Sequence, residues 1–296
     1  MIHQKVVKLT LLIVIISLAC LPSQAQKVEN SIFWEVTGNG LSAPSYIYGT
    51  VKFIPEKDYF LSKNVKNKLK ECEIFATETM LDHHSLRELN KAAHLPHHES
   101  IEDLLTAEQY GNLRKIFINQ LNVSKTKFEL VYSQFKPVVL STTMTRLSLG
   151  DDVKYYELEL VKMAKKQGLL TLGLETASRE IEAIETFSKE NQTKALIHTI
   201  ANFNKQKMDY KELIASYKLG NLHNTLEYTL HPSENDMSFR SHFYDQRNAE
   251  WVPQIEKYMK QSPSFFAVGV AHLADDKGLI QLLRAKGYTV SPFPLQ

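Results

Sequence analysis

The chain has 296 residues, is 43% hydrophobic and 10% aromatic, and carries 35 basic against 33 acidic side chains. This composition supplies a real core and excludes a chain dominated by disorder. The near-even charge gives no reason to expect nucleic acid or an anionic membrane as a partner.

The first segment reads as a leader. Lys5 and Lys8 precede an apolar run over residues 9–18, and Ser23-Gln24-Ala25 offers the small residues that a signal peptidase reads. The reading is a signal peptide over 1–25 and a mature domain over 26–296, placed outside the cytoplasm, periplasmic or secreted. Lipid anchoring at Cys20 is disfavoured, because Ser17 and Leu18 fit poorly in a Leu-small-small-Cys order. With Cys20 in the leader only Cys72 remains, so neither an intramolecular disulfide nor a CxxC-type metal site is available. No later stretch approaches the ~20 apolar residues needed to cross a bilayer.

Ile32-Phe33-Trp34-Glu35-Val36 and Tyr46-Ile47-Tyr48 read as two strands joined by a loop of turn formers, a hairpin. Residues 61–70 carry Leu61, Val65 and Leu69 at helical spacing, and Ile74-Phe75-Ala76 returns as a strand ending at Glu78. Residues 85–150 are helical in pattern, with Thr106 and Gln109 as a capping pair, Leu113, Phe117 and Leu121 on one face, and Pro137 opening a further helix. A helix over 155–167, closed by Gly168, leads to a strand over 169–174 that ends at Glu175. A second helical block covers 178–261, with breaks near Gly220 and Pro232. The last residues give a strand over 265–268, a helix over 279–286 closed by Gly287, and a strand over 288–290. The expected fold class is α/β, with a central sheet built from two similar halves at the chain ends and large helical insertions, about 85–150 and 178–261, between them.

In such sheets the ligand crevice lies beyond the carboxyl ends of strands. Lys52, Glu78, Glu175 and His272 all stand at such ends, and Gly49 and Gly269 would let the backbone turn tightly beside a ligand. Each also has an ordinary reading: the glutamates as caps or surface ion pairs, His272 as a satisfied loop residue, Lys52 as a solvated lysine. Cys72 beside a buried strand reads as packing rather than as a nucleophile.

The chain resembles the TraB/GumN family, which includes the Tiki proteases, over about residues 32–293. The resemblance rests on ordered blocks: Tyr46-Ile47-Tyr48-Gly49-Thr50-Val51-Lys52, then Glu78, then Gly173-Leu174-Glu175-Thr176, then Arg247-Asn248-Ala249-Glu250-Trp251, then Val268-Gly269-Val270-Ala271-His272-Leu273 with Gly278-Leu279. It implies a hydrolase-like cleft resembling metal-dependent peptidases. Glu78 and His272 would be metal ligands, Arg247 and Asn248 neighbours that orient or polarise a substrate carbonyl, and the metal a divalent ion such as manganese or cobalt.

The family's first Gly-x-x-His histidine does not carry over, because position 52 is lysine. A protonated lysine has no lone pair and brings positive charge toward the cation, so the resemblance implies a metal centre weakened or absent. Lys52 could instead act near Glu78 and His272 as a proton donor or electrostatic stabiliser. Two further departures are Glu180, where the family often has glutamine, and Asp275, where it often has glycine. Asp275 could add an oxygen ligand or pair with Lys52. The histidines His83-His84, His94 and His97-His98 have imidazoles that can bind zinc, but adjacent pairs point apart and do not converge.

Two expectations follow. One is a secreted, degenerate metallopeptidase-like hydrolase. The alternative is a noncatalytic extracytoplasmic binding protein that uses the same cleft for a peptide or a glycan-linked partner.

Overall fold

A computed structural model describes residues 29–229 and 237–295. The expected leader with Cys20, and Pro232, lie outside the described residues.

Strands β1 (Phe33–Gly38) and β2 (Ser45–Thr50) form the expected antiparallel hairpin, with Phe33 opposite Tyr48. Its turn is Gly38-Asn39-Gly40, all three at positive φ, a conformation that glycine and asparagine adopt at low cost. A two-residue strand β3 (Ile54–Pro55) and helix α1 (Lys63–Lys70) follow. Ser62 caps α1 by accepting from the Val65 N–H, so the helix begins after Leu61, and Val65 and Leu69 are its buried stripe. Strand β4 (Ile74–Thr79) comes next.

The first helical stretch contains α2 (His83–Ala92), α3 (Ala107–Lys115), α4 (Lys125–Leu130) and α5 (Pro137–Ser148). The capping box of Thr106 and Gln109 opens α3, and Pro137 is the first residue of α5. The single face read through Leu121 is interrupted, because residues Ile116–Gln120 widen into a π-helical turn. A two-residue strand β5 (Val153–Lys154) pairs with β3 and leads into α6 (Tyr156–Lys166), then β6 (Leu170–Glu175).

The second helical stretch holds α7 (Ala177–Glu185), α8 (Lys189–Ala201), α9 (Phe203–Lys218), α10 (Leu222–Thr229), α11 (Met237–Arg240) and α12 (Arg247–Gln261). Strand β7 (Ser264–Gly269), helix α13 (Leu279–Ala285) and strand β8 (Tyr288–Pro292) close the chain.

The fold is mixed α/β around one six-stranded sheet, ordered β6-β4-β7-β2-β1-β8. Strands β6, β4, β7 and β2 run parallel, and β1 is antiparallel to both β2 and β8. Strands from the two chain ends interleave in this one sheet, with β7 inserted between β4 and β2. β2 is buried throughout and β7 nearly so, as expected of parallel strands covered on both faces. The main core packs Trp34, Tyr48, Phe75, Phe265, Phe266 and Trp251 about this sheet, while Leu113, Phe117, Phe128 and Met144 anchor a second cluster within the helices. Because four neighbouring strands share one direction, their carboxyl ends, Thr50, Glu78-Thr79, Glu175 and Gly269, come to a single edge.

Candidate functional site

Arg247 is the centre of that edge. Its guanidinium is fully buried, and Nη2 donates to Glu175 Oε1 at 2.6 Å and to Glu78 Oε2 at 2.8 Å. Nε donates to Glu175 Oε1 at 3.0 Å, and Nη1 to the Phe243 carbonyl at 3.1 Å. A π-helical turn, Ser241–Gln246, feeds into α12 just before this residue, and consecutive Arg247 and Asn248 both face inward. Four residues on, the Trp251 ring lies 4.7 Å from the guanidinium carbon and its Nε1 donates to Glu175 Oε2 at 3.0 Å. A buried cation is thereby held by two carboxylates and an aromatic face, the arrangement a desolvated guanidinium needs.

Asn248 fixes His272. Its Nδ2 donates to the Lys277 carbonyl at 2.9 Å, which leaves Oδ1 as the acceptor for His272 Nδ1 at 2.7 Å. The ring is therefore protonated on Nδ1, and the Nε2 lone pair faces Arg247 Nη1 at 3.4 Å and Glu78 Oε1 at 3.8 Å. Burial, helped by Arg247 and opposed by Glu78, pushes the imidazole pKa down to about 3, so the ring is neutral.

Burial opposes ionisation of Glu78, but the Arg247 cation and the Gly269 N–H, which donates to Oε1 at 2.7 Å, hold its carboxyl below the usual carboxylate range. For Glu175 burial wins over Arg247 and Trp251, and its pKa is raised. Burial opposes the charge on Arg247 too, yet Glu78 and Glu175 raise the guanidinium above its ordinary range. The two glycines serve close approach and not turning. A Cβ on Gly269 would sit 3.0 Å from Glu78 Oε1, and one on Gly49 would sit 2.7 Å from Leu273 Cδ1. Gly49 faces the protein's own side chains, not a ligand.

Lys52 stands apart. It is exposed just beyond β2, with no ion pair to Glu78 or Asp275. Asp275 pairs with Arg240 at 2.6 Å, and neither alternative raised for it, an oxygen ligand or a pair with Lys52, is formed among the described residues. The φ of Asp275 is 66°, the left-handed region, which gives a physical reason for glycine to be common at this position. Arg247 and Asn248 have their polar atoms committed to protein partners, a positioning arrangement that leaves no free donor aimed at a substrate carbonyl.

Sequence reasoning missed Glu157. It lies in the first turn of α6, brought to Thr50 by the short β3–β5 ladder, and its Oε1 accepts from Thr50 Oγ1 at 3.4 Å. Burial, then the charges of Glu78 and Glu180, push it up to about 8 against the pull of Lys52 and Thr50. Glu180, on the first turn of α7, accepts from Thr79 Oγ1 at 2.7 Å. An acidic residue in a first helical turn is ordinary, so nothing in the sequence distinguished Glu157. Cys72 is buried with its thiol pushed up to about 12 by burial, in keeping with an inert packing residue.

A model of the TraB/PrgY/gumN family matches residues 32–292. The chain belongs to this family. It is 22% identical to a protein described as metalloprotease TIKI1 from Danio rerio, over 93% of this chain and 65% of that protein. The chain thus spans just under two thirds of that curated relative's length. No solved structure matches the chain significantly.

A metal-dependent relative raises the question whether the residues of this family member fit a metal. They do not form a complete donor set. Glu78 Oε1 and His272 Nε2 face each other, but the third position is an exposed lysine, Oε1 already accepts from the Gly269 N–H, and Arg247 engages both Glu78 Oε2 and His272 Nε2. Among the described residues no cluster of three or more His, Cys, Asp or Glu side chains is arranged to hold an ion. No helix there is long and apolar enough to cross a membrane.

Proposed function

We propose that this protein is an extracytoplasmic TraB-family member whose strand-end site has lost the metallopeptidase centre and whose cleft binds peptide without cleaving it through a metal. The observation that carries the reading is the engagement of both retained donors, Glu78 and His272, by Arg247, with Lys52 outside the network. The leader-like residues 1–25 support the location.

The test is a peptidase assay on an unstructured peptide mixture, with manganese, cobalt or zinc added, on wild type and on Lys52→His. The reading expects no metal-stimulated cleavage by wild type and a gain with Lys52→His. Chelator-sensitive cleavage by wild type overturns it.

A second reading, metal-free hydrolysis, is favoured by Glu157, a carboxyl held protonated up to about pH 8 beside Lys52. A group of that pKa is matched to proton transfer near neutral pH. It predicts chelator-resistant cleavage that Glu157→Gln removes; cleavage surviving in Glu157→Gln contradicts it.

A further inference from the structure

A cleft opens beside Asn248, the residue that holds His272 Nδ1, and beside Ala271, the neighbour of His272 in the chain. Its volume is about 470 Å³, within the roughly 300–1,000 Å³ of small-ligand sites. Leu226, Tyr244, Ala271 and Ala274 give it apolar walls, and Asn248 forms part of its lining.

The charges around it are unevenly used. Arg240 pairs with Asp275, and Asp245 accepts from Lys277 at 3.0 Å. Glu227 and His223, one turn apart on α10, line the mouth, are exposed and have no side-chain partner among the described residues. The lining therefore keeps one uncommitted carboxylate beside apolar surface. A long aliphatic stem ending in a cation matches both features, because the stem packs on apolar walls while the head reaches the carboxylate.

We infer that this cleft takes a peptide carrying a lysine or arginine side chain, with Glu227 receiving the cationic head. The inference rests on the peptide-binding reading above and gives it a ligand class and a location.

The test uses isotope-labelled full-length protein in chelator, titrated with acetyl-leucyl-lysine amide and with the uncharged acetyl-leucyl-norleucine amide. Saturable amide shifts at Ala271, Ala274 and Asn248 are expected, with the lysine peptide bound about threefold to fivefold more tightly, the scale of an exposed ion pair. Glu227→Gln, at an exposed position, should erase that preference, and added salt should shrink it. Equal affinity for the two peptides, or shifts confined to another face, overturns the inference. Metal uptake by wild type in a parallel chelator-free dialysis, with lysine selectivity intact in this titration, would overturn the loss of the metal centre and support this site.

Discussion

Asn248 Oδ1 accepts the Nδ1 proton of His272 at 2.7 Å, and this one bond decides that the imidazole presents a lone pair, not a proton, to Arg247 and Glu78. Replacing Asn248 with Leu removes that acceptor and the donor to the Lys277 carbonyl while leaving the buried His272 N–H and the part-buried carbonyl in place. Each such orphaned group costs about 1–3 kcal/mol. Urea unfolding of Asn248→Leu should show a loss of that order or more, and a loss below about 0.5 kcal/mol contradicts the bond's role.

Arg247→Met is expected to be more damaging. It leaves the largely buried Glu78 and Glu175 beside one another without their cation, a change that typically costs about 3–5 kcal/mol. Arg247→Lys should recover only part of this, because an ammonium cannot reproduce the donors now split between two carboxylates and the Phe243 carbonyl. Equilibrium denaturation of the two variants checks the ranking.

The site also sets a pH dependence whose two arms have different owners. His272, at about 3 when folded against an ordinary 6.5, contributes stability that is full above pH 6.5 and is lost as pH falls toward 3. Glu78, held below its ordinary 4.5 by Arg247, adds to that acid loss as pH falls below 4.5. Glu157 acts oppositely: raised to about 8, it contributes stability that is full below pH 4.5 and lost as pH rises through 8. Melting temperatures from pH 4.5 to 9 should decline less steeply in Glu157→Gln than in wild type; parallel curves contradict the assignment.

Gly49→Ala tests why glycine stands in β2. The new methyl would meet Leu273 Cδ1 at 2.7 Å and Val270 Cγ2 at 3.1 Å, an overpacking that costs about 1–3 kcal/mol. Trimming Leu273 to Ala in the same chain should recover part of that cost, and thermal melts of the single and double variants measure the coupling.

The sequence made the strand ends legible because buried parallel strands announce themselves as short apolar runs, and the polar residue after each run must lie at one edge. Glu78, Glu175, Gly269 and His272 were found in that way. Their pairing was not legible. Arg247 meets Glu175 across 72 positions and Glu78 across 169, and no local pattern encodes a contact of that range. The insertion of β7 between β4 and β2 was hidden for the same reason. Glu157 escaped because its signal lies in packing: it opens an ordinary amphipathic helix, and only the β3–β5 ladder brings that helix end against Thr50.

The most direct test of the central claim is equilibrium dialysis of wild type against manganese, cobalt and zinc in turn at neutral pH, followed by elemental analysis, with His272→Ala as reference. The account predicts less than about 0.1 equivalent of any metal attributable to His272, since two donors beside the buried Arg247 cation make a poor site. One equivalent bound by wild type and lost in His272→Ala would contradict it.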